Sequence, residues 1–160
     1  MTHARRSLCA LILLLFTILG LSVVPARAEA ACQGPPSETR ITVTVTGLRA
    51  ATGLVAVTLY ADDPRRFLVK HGSMYVGRVP TEAPTTRMCL YVPKPGTYAL
   101  AVYHDANANQ KFDRKGFLGL PSEAYGFSNN PPTLFSLPRF SSVRIPLKDG
   151  TATSIRLKYP

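Results

Sequence analysis

Oxygen-bearing side chains recur at alternate positions in the segment HDANANQKFD, which begins at residue 104. Four of them take the first, third, fifth and ninth places of a calcium-loop pattern: Asp105, Asn107, Asn109 and Asp113. A calcium ion is bound by about six to eight oxygen atoms, and a curled loop directs alternate side chains towards one centre. The carbonyl of Lys111 would supply the seventh place. The spacing therefore predicts a weak calcium site formed by Asp105, Asn107, Asn109, Lys111 and Asp113.

Two positions depart from a complete calcium loop. Gln110 stands where a glycine usually makes the sharp turn, and Gly116 stands where an EF-hand supplies a bidentate glutamate. Asp and Asn side chains also bond their own backbone in Asx-turns, so the same run can form a rigid, self-capped connection without an ion. The sequence leaves both interpretations open.

Acid–base chemistry is a further interpretation of this segment. Asp113 or Glu123 could serve as the general base of a hydrolase, because both titrate and lie close in sequence. His104 shares a strand face with Leu100 and Val102, so we expect it to be hydrogen-bonded at the rim of the core. The sequence lacks zinc-spaced ligands and a G-x-S-x-G motif. A non-catalytic binding or structural module is therefore the favoured prediction, and a hydrolase is the alternative.

The second half of the segment is rich in aromatic and amide side chains. Loops longer than about 15 residues are uncommon in compact domains and are often functional. The predicted binding residues are Glu123, Tyr125, Phe127, Ser128 and Asn129. The alternative is that the aromatic residues only anchor the loop to the end of the fold.

Short strands must position this long loop. Apolar residues alternate with polar ones in six segments: residues 41–46, 55–59, 87–92, 97–104, 143–147 and 155–159. Turn residues separate these segments, which is typical of an all-β sandwich. The predicted fold is a single seven-stranded antiparallel β-sandwich whose first two strands form a hairpin. Asp63-Pro64 predicts a short helix over residues 64–69, after the second strand.

The segment from residue 96 to residue 129 is similar to the signature of exported bacterial proteins known as domain of unknown function 2141. That signature reads G-x-Y-A, then H-D-x-N-x-N-G-x-x-D, then G-x-P-x-E-x-Y-G-F-S-N. The matching residues are Gly96, Tyr98, Ala99, His104, Asp105, Asn107, Asn109, Asp113, Gly119, Pro121, Glu123, Tyr125, Gly126, Phe127, Ser128 and Asn129. Gln110 departs from the usual glycine. The resemblance extends over residues 40–159 and implies a transthyretin-like or immunoglobulin-like sandwich with no established activity.

The first residues have the layout of a secretory signal peptide. Arg5 and Arg6 precede an apolar run over residues 8–24, and small residues follow in PARAEA. The predicted organisation is a signal peptide over residues 1–28 with cleavage after Ala28 or Ala30, a lead-in over residues 29–39, and the β-sandwich over residues 40–160. We therefore expect the protein to be exported, either to the periplasm or beyond the cell.

The net charge bears on the class of partner, and the cysteine content bears on the presence of a disulfide. The chain has a formal net charge of +10. It carries no nucleic-acid motif. The partner stays open: the charge could attract a cell-envelope component such as a glycan, a peptide or an anionic lipid, or it could be spread over outward strand positions for solubility. Cys32 and Cys89 follow the signal peptide, and an isolated pair in an oxidising compartment most simply forms one disulfide.

Overall fold

The computed structural model describes residues 31–133 and 136–160. The predicted signal peptide lies outside the described residues. Within those residues, no helix is both long enough and apolar enough to cross a membrane.

In the described part of the chain, ten strands form three sheets. The strands are β1 (Thr39–Thr46), β2 (Leu54–Ala61), β3 (Tyr75–Pro80), β4 (Thr85–Val92), β5 (Gly96–Asp105), β6 (Arg114–Lys115), β7 (Leu120–Pro121), β8 (Tyr125–Phe127), β9 (Arg144–Leu147) and β10 (Ala152–Arg156), with one short helix, α1 (Phe140–Val143). The three-stranded sheet has the order β10-β1-β4. The five-stranded sheet has the order β3-β2-β5-β8, and β9 also pairs with β5. Strands β6 and β7 form a separate two-stranded hairpin.

The two larger sheets pack face to face through their alternating apolar residues. Strands β1 and β4 bury every second side chain, which is the period expected when one face of a strand meets the core. The shared core contains Ile41, Val43, Val45, Val55, Val57, Leu59, Met88, Leu90, Val92, Leu100, Val102 and Ile155. Each such side chain contributes roughly 1.5–3 kcal/mol on full burial.

The five-stranded sheet is also partly covered on its outer face. A second apolar cluster there contains Tyr60, Phe67, Ala99, Phe127 and Val143. Strand β2 is consequently buried at six consecutive positions instead of at alternate ones. This outer face carries the cleft described below.

The predicted all-β class is confirmed, but the single seven-stranded antiparallel sandwich is wrong. The described residues form ten strands in three sheets, and β1 pairs with β10 in the parallel sense. The predicted hairpin of the first two strands is also wrong, because β1 and β2 belong to different sheets. The connection between them passes from one layer to the other. The likeness to transthyretin or immunoglobulin sandwiches stays a prediction.

The predicted helix after the second strand is also wrong. Residues 64–71 form successive turns. Leu68 and His71 have φ angles of 56° and 57°, and these left-handed conformations cannot continue a right-handed helix. The segment instead folds over the sheet, and the Phe67 ring lies 5.2 Å from the Tyr60 ring.

The expected disulfide joins Cys32 to Cys89 in β4. The adjacent backbone extends this link, because the Gln33 N–H donates to the Cys89 carbonyl and the Tyr91 N–H donates to the Gln33 carbonyl, both at 2.9 Å. The residues before β1 are thereby attached to the three-stranded sheet.

Candidate functional site

The long loop begins at the end of β5, where Asp105 is fully buried. One carboxylate oxygen of Asp105 accepts the Asn109 N–H at 3.0 Å, and the other accepts the Gln110 N–H at 2.7 Å. A buried carboxylate needs such donors, because burying an unpaired charge is costly. Asp105 therefore folds the loop back onto the end of its own strand.

The two asparagines complete this turn. Asn107 Oδ1 accepts the Asn109 N–H at 3.1 Å, and Asn109 Oδ1 accepts the Lys111 N–H at 2.8 Å. Their Nδ2 groups both donate to Asp113 Oδ2, at 2.9 Å and 2.8 Å. The side-chain oxygens of the asparagines thus face backbone donors, as in Asx-turns.

The predicted calcium ligands are gathered in one turn, but most of their side-chain oxygens accept donors inside the loop: both oxygens of Asp105, Oδ1 of Asn107 and Asn109, and Oδ2 of Asp113. Across residues 31–133 and 136–160, no group of three or more His, Cys, Asp or Glu side chains is placed to hold a metal ion. Gln110 has a φ angle of 62°, which is the left-handed conformation that favours glycine. Gln110 therefore takes the conformation for which calcium loops use glycine. The geometry matches the self-capped connection, and no calcium site is shown.

Glu123 closes the far side of the loop. Its Oε2 accepts the Asp113 N–H at 3.0 Å, and its side chain is buried. Burial raises the pKa of Glu123, and the nearby carboxylates of Asp113 and Asp105 raise it further. Glu123 and Asp113, the two residues considered as a general base, thus both serve to close the loop.

His104 ties three parts of the fold together. Its side chain is buried, its Nε2 lies 2.8 Å from the Thr52 carbonyl, and its Nδ1 lies 3.2 Å from the Tyr159 hydroxyl. The expectation of a hydrogen-bonded histidine at the rim of the core is confirmed.

Ser128 and Asn129 follow β8 and hold neighbouring strands. Ser128 is fully buried, and its Oγ accepts the Leu100 N–H at 3.0 Å and donates to the Val143 carbonyl at 2.5 Å. Asn129 Nδ2 donates to the Arg144 carbonyl at 2.8 Å. Together with Glu123, they are not among the residues that line the cleft described next.

An aromatic cleft of about 1000 Å³ lies on the outer face of the five-stranded sheet. Its floor comes from β2, β5 and β8. One wall is the turn segment of residues 68–71, and the other is residues 110–114 of the long loop. The aromatic side chains that line it are Tyr60, Tyr103, Phe112, Tyr125 and Phe127. Two predicted binding residues, Tyr125 and Phe127, therefore do belong to a concave site.

The aromatic rings of the cleft form a connected row. The Phe112 ring lies 5.4 Å from the Tyr103 ring and 6.0 Å from the Tyr125 ring, and Tyr125 lies 5.9 Å from Phe127. All three contacts are edge-to-face, which is a favoured arrangement for aromatic pairs. Phe112 is held in this row by the turn that Asp105 and the asparagines organise.

The rim of the cleft is basic. Lys70, His71, Lys111 and Arg114 line it, and none of the described lining residues is acidic. The Arg114 guanidinium stands over the Phe112 ring, 5.2 Å from its centroid. The site thus combines apolar ring surfaces with positive charge, which suits a flat or apolar anion.

The sequence interpretation missed Tyr60, Tyr103 and Phe112 as site residues. A signal was present, because Tyr103 lies on the strand face opposite Val102 and His104, so an aromatic ring points away from the core. The walls could not be predicted from the sequence, because the turns at residues 68–71 and 110–114 are far apart in sequence. They line the same cleft only in the folded chain.

The comparisons with known proteins agree with the resemblance seen in the sequence. The family model described as "uncharacterized protein conserved in bacteria" (DUF2141) matches residues 43–156, which is more than half of the chain. That range includes the long loop and the residues lining the cleft. The chain matches no curated protein and no solved structure. The chain therefore belongs to the domain of unknown function 2141 family.

Proposed function

We propose that this protein is an exported, non-catalytic module that binds a small organic ligand in the aromatic cleft. The observation that carries the proposal is the cleft itself: about 1000 Å³, lined by five aromatic side chains and rimmed by basic ones. Ligand sites in proteins are typically concave, mostly apolar and provided with a few polar groups that orient the ligand. The cleft has these three properties.

The chemistry of the lining indicates the class of ligand. Ring faces and edges at Tyr103, Phe112 and Tyr125 offer stacking surface to a flat or cyclic molecule. Lys70 and Lys111 on opposite walls offer charge to an acidic group. The proposed ligand is therefore an organic anion with a ring or apolar body, and a component of the cell envelope is the predicted source.

In this account the long loop is a scaffold. Asp105 holds the backbone of Asn109 and Gln110, and Arg78 donates to the Gln110 carbonyl at 3.3 Å. These bonds orient the wall that carries Lys111 and Phe112. Asp105, Asn107, Asn109 and Asp113 then serve binding by positioning that wall, and they do not line the cleft themselves.

Export is supported by two features of the chain. The N-terminal basic start, the apolar run and the small residues have the layout of a signal peptide. A disulfide between Cys32 and Cys89 suits an oxidising compartment, since disulfides are rare in the cytosol. The periplasm and the extracellular space both satisfy these features.

The test uses 8-anilinonaphthalene-1-sulfonate (ANS), a fluorescent aromatic anion. Ala101 lies on the cleft floor, so Ala101→Phe fills it, whereas Ala152→Phe adds the same ring on an exposed position of β10. We expect Ala101→Phe to weaken ANS binding about tenfold and Ala152→Phe to leave it unchanged. Equal binding by both variants would refute the proposal. If Ala101→Phe does not fold, Tyr103→Ser tests the same cleft by removing a ring.

A second arm tests the charge preference. N-phenyl-1-naphthylamine resembles ANS but lacks the sulfonate, so we expect it to bind more weakly. Lys111→Gln should weaken ANS binding and leave the neutral probe unaffected, whereas Lys94→Gln in the β4–β5 turn should change neither. A neutral probe that binds as tightly as ANS would contradict the basic rim as a selector.

Weak calcium binding by the loop is a second proposal, separate from the cleft, and it has its own test. It requires the Asn107 and Asn109 amides to turn their oxygens from backbone donors towards a common ion. Binding would then raise the melting temperature at millimolar calcium, and EDTA would reverse the rise. No rise on adding calcium would discard the calcium site and leave the cleft proposal intact.

A further inference from the structure

The hairpin of β6 and β7 presents apolar side chains to solvent at its tip. Phe117 is 97% exposed, Leu118 is 68% exposed and Leu120 is 57% exposed. Large apolar side chains of soluble proteins are usually exposed singly, whereas contiguous exposed apolar side chains are a feature of protein and membrane interaction sites. These three residues are called the hairpin tip below.

The hairpin tip projects away from the body of the fold. Strands β6 and β7 pair only with each other among the described strands. A Cβ atom added at Gly116 or at Gly119 would meet no heavy atom within 4 Å. Both glycines have positive φ angles, and the Gly119 N–H donates to the Gly116 carbonyl at 3.1 Å. The turn therefore has a defined shape while its surroundings stay open.

Basic residues lie just before the hairpin tip in the chain. Lys111, Arg114 and Lys115 are all exposed. The nearby carboxylates in sequence are Asp113 and Glu123. Asp113 Oδ2 accepts two amide donors within the loop, and Glu123 is buried and accepts the Asp113 N–H. Arg114 donates to the Gly119 carbonyl at 3.0 Å, which keeps its charge at the base of the tip. Positive charge thus lies at the base of a small apolar projection.

We propose that the hairpin tip inserts into the interface of a bilayer that carries anionic headgroups. Apolar and aromatic side chains enter the boundary of headgroups and acyl chains, while flanking Lys and Arg attract anionic lipid. A protein partner is disfavoured, because a stable interface buries about 800 Å² on each side and three projecting side chains offer far less. The three apolar residues of the hairpin tip do not line the cleft, although Lys111 and Arg114 border both surfaces. The proposal does not depend on ligand binding in the cleft.

Tryptophan fluorescence tests insertion directly, because the chain contains no tryptophan. Phe117→Trp places a single reporter at the tip of the otherwise native chain, on a side chain that makes little contact with the fold. With vesicles of equal parts phosphatidylglycerol and phosphatidylcholine, its emission should shift to shorter wavelength and be quenched by brominated lipid. Vesicles of phosphatidylcholine alone, or high salt, should weaken the shift, since screening reduces attraction to headgroups.

A matched reporter gives the control. Met74 is 43% exposed and precedes β3 at the far end of the sheet from the loop. Met74→Trp should show no shift with either vesicle. An unshifted Trp at position 117, or an equal shift at position 74, would overturn the proposal.

Sedimentation with vesicles provides the second measurement. All variants are produced from the full sequence, and mass spectrometry defines the N-terminus recovered, so any N-terminal apolar residues are common to all. Combined Phe117→Ser and Leu118→Ser should weaken association about tenfold or more, from the apolar burial lost. Met74→Ser should leave it unchanged. Undiminished association of the double variant would overturn the proposal. The proposal would also be overturned if the wild-type protein self-associates in sedimentation velocity without lipid and the double variant does not. That result would show that the tip contacts a second copy of the chain.

Discussion

Replacing Asp105 by asparagine tests the carboxylate that organises the long loop. In the wild-type protein its two oxygens accept the Asn109 and Gln110 N–H groups at 3.0 Å and 2.7 Å. Asparagine retains one acceptor, so one N–H group faces an NH₂ group in a buried site. A hydrogen bond to a charged group contributes about 1.5–3 kcal/mol. Relief of the cost of burying the charge offsets part of this loss. We expect the free energy of unfolding to fall by about 2 kcal/mol.

Asp113→Asn is the matched control. Asp113 accepts both asparagine amides on one oxygen, Oδ2, and an asparagine oxygen can do the same. Its cost should stay below about 1 kcal/mol. Urea unfolding followed by circular dichroism measures both variants, and a loss of 2 kcal/mol lowers the midpoint by about 1 M. The reasoning is refuted if Asp105→Asn leaves the midpoint unchanged, or if Asp113→Asn is the more damaging substitution.

Three further predictions concern the loop and the disulfide. Gln110→Gly should raise the free energy of unfolding by about 0.5–1 kcal/mol, because relief of the left-handed conformation outweighs the added chain entropy of glycine. Gln110→Ala keeps a side chain in the left-handed conformation. An equal rise in the free energy of unfolding of that variant would show that relief of this conformation is not the cause. Because burial raises the pKa of Glu123, its contribution to stability is full below the unfolded-state pKa and is lost as pH rises through the folded-state pKa. Glu123→Gln keeps an acceptor for the Asp113 N–H, so it should be more stable than wild type at neutral pH and lose this pH dependence in urea unfolding. If Glu123→Gln is less stable than the wild-type protein at neutral pH, the expected cost of burying the Glu123 charge is wrong. Combined Cys32→Ser and Cys89→Ser should cost about 4 kcal/mol in the chain-entropy treatment for a separation of 57 residues, measured by urea unfolding. A loss below about 1 kcal/mol would show that the remaining contacts already hold this segment.

Strands with regular alternation were predicted more closely than strands without it. The last segment is an exception, because residues 155–159 alternate but β10 covers Ala152–Arg156. Val43 and Val45 alternate with threonines, so β1 was predicted within two residues of its observed start. Strand β8 was missed because Gly126 and its neighbours resemble a loop, and only pairing with β5 makes them a strand. The partner of β1 also depends on the connections between layers, which local periodicity does not encode.

The predicted binding residues coincide only in part with the residues that line the cleft. Asp105 and Asn109 were singled out because their spacing suits an ion, yet the same spacing equally suits Asx-turns, and side-chain type cannot distinguish the two. Tyr125 and Phe127 were chosen for their chemistry and do line a cleft. Phe112 was overlooked, because its place in the aromatic row depends on the direction in which the turn leaves β5.

The most direct test of the central claim is a nuclear magnetic resonance titration of the ¹⁵N-labelled protein with ANS. We expect amide shifts to change in β5, β8 and residues 110–114, while those of β1 and β4 on the opposite sheet stay unchanged. Saturable changes confined to the three-stranded sheet, or no saturable change anywhere, would contradict a binding function for the cleft.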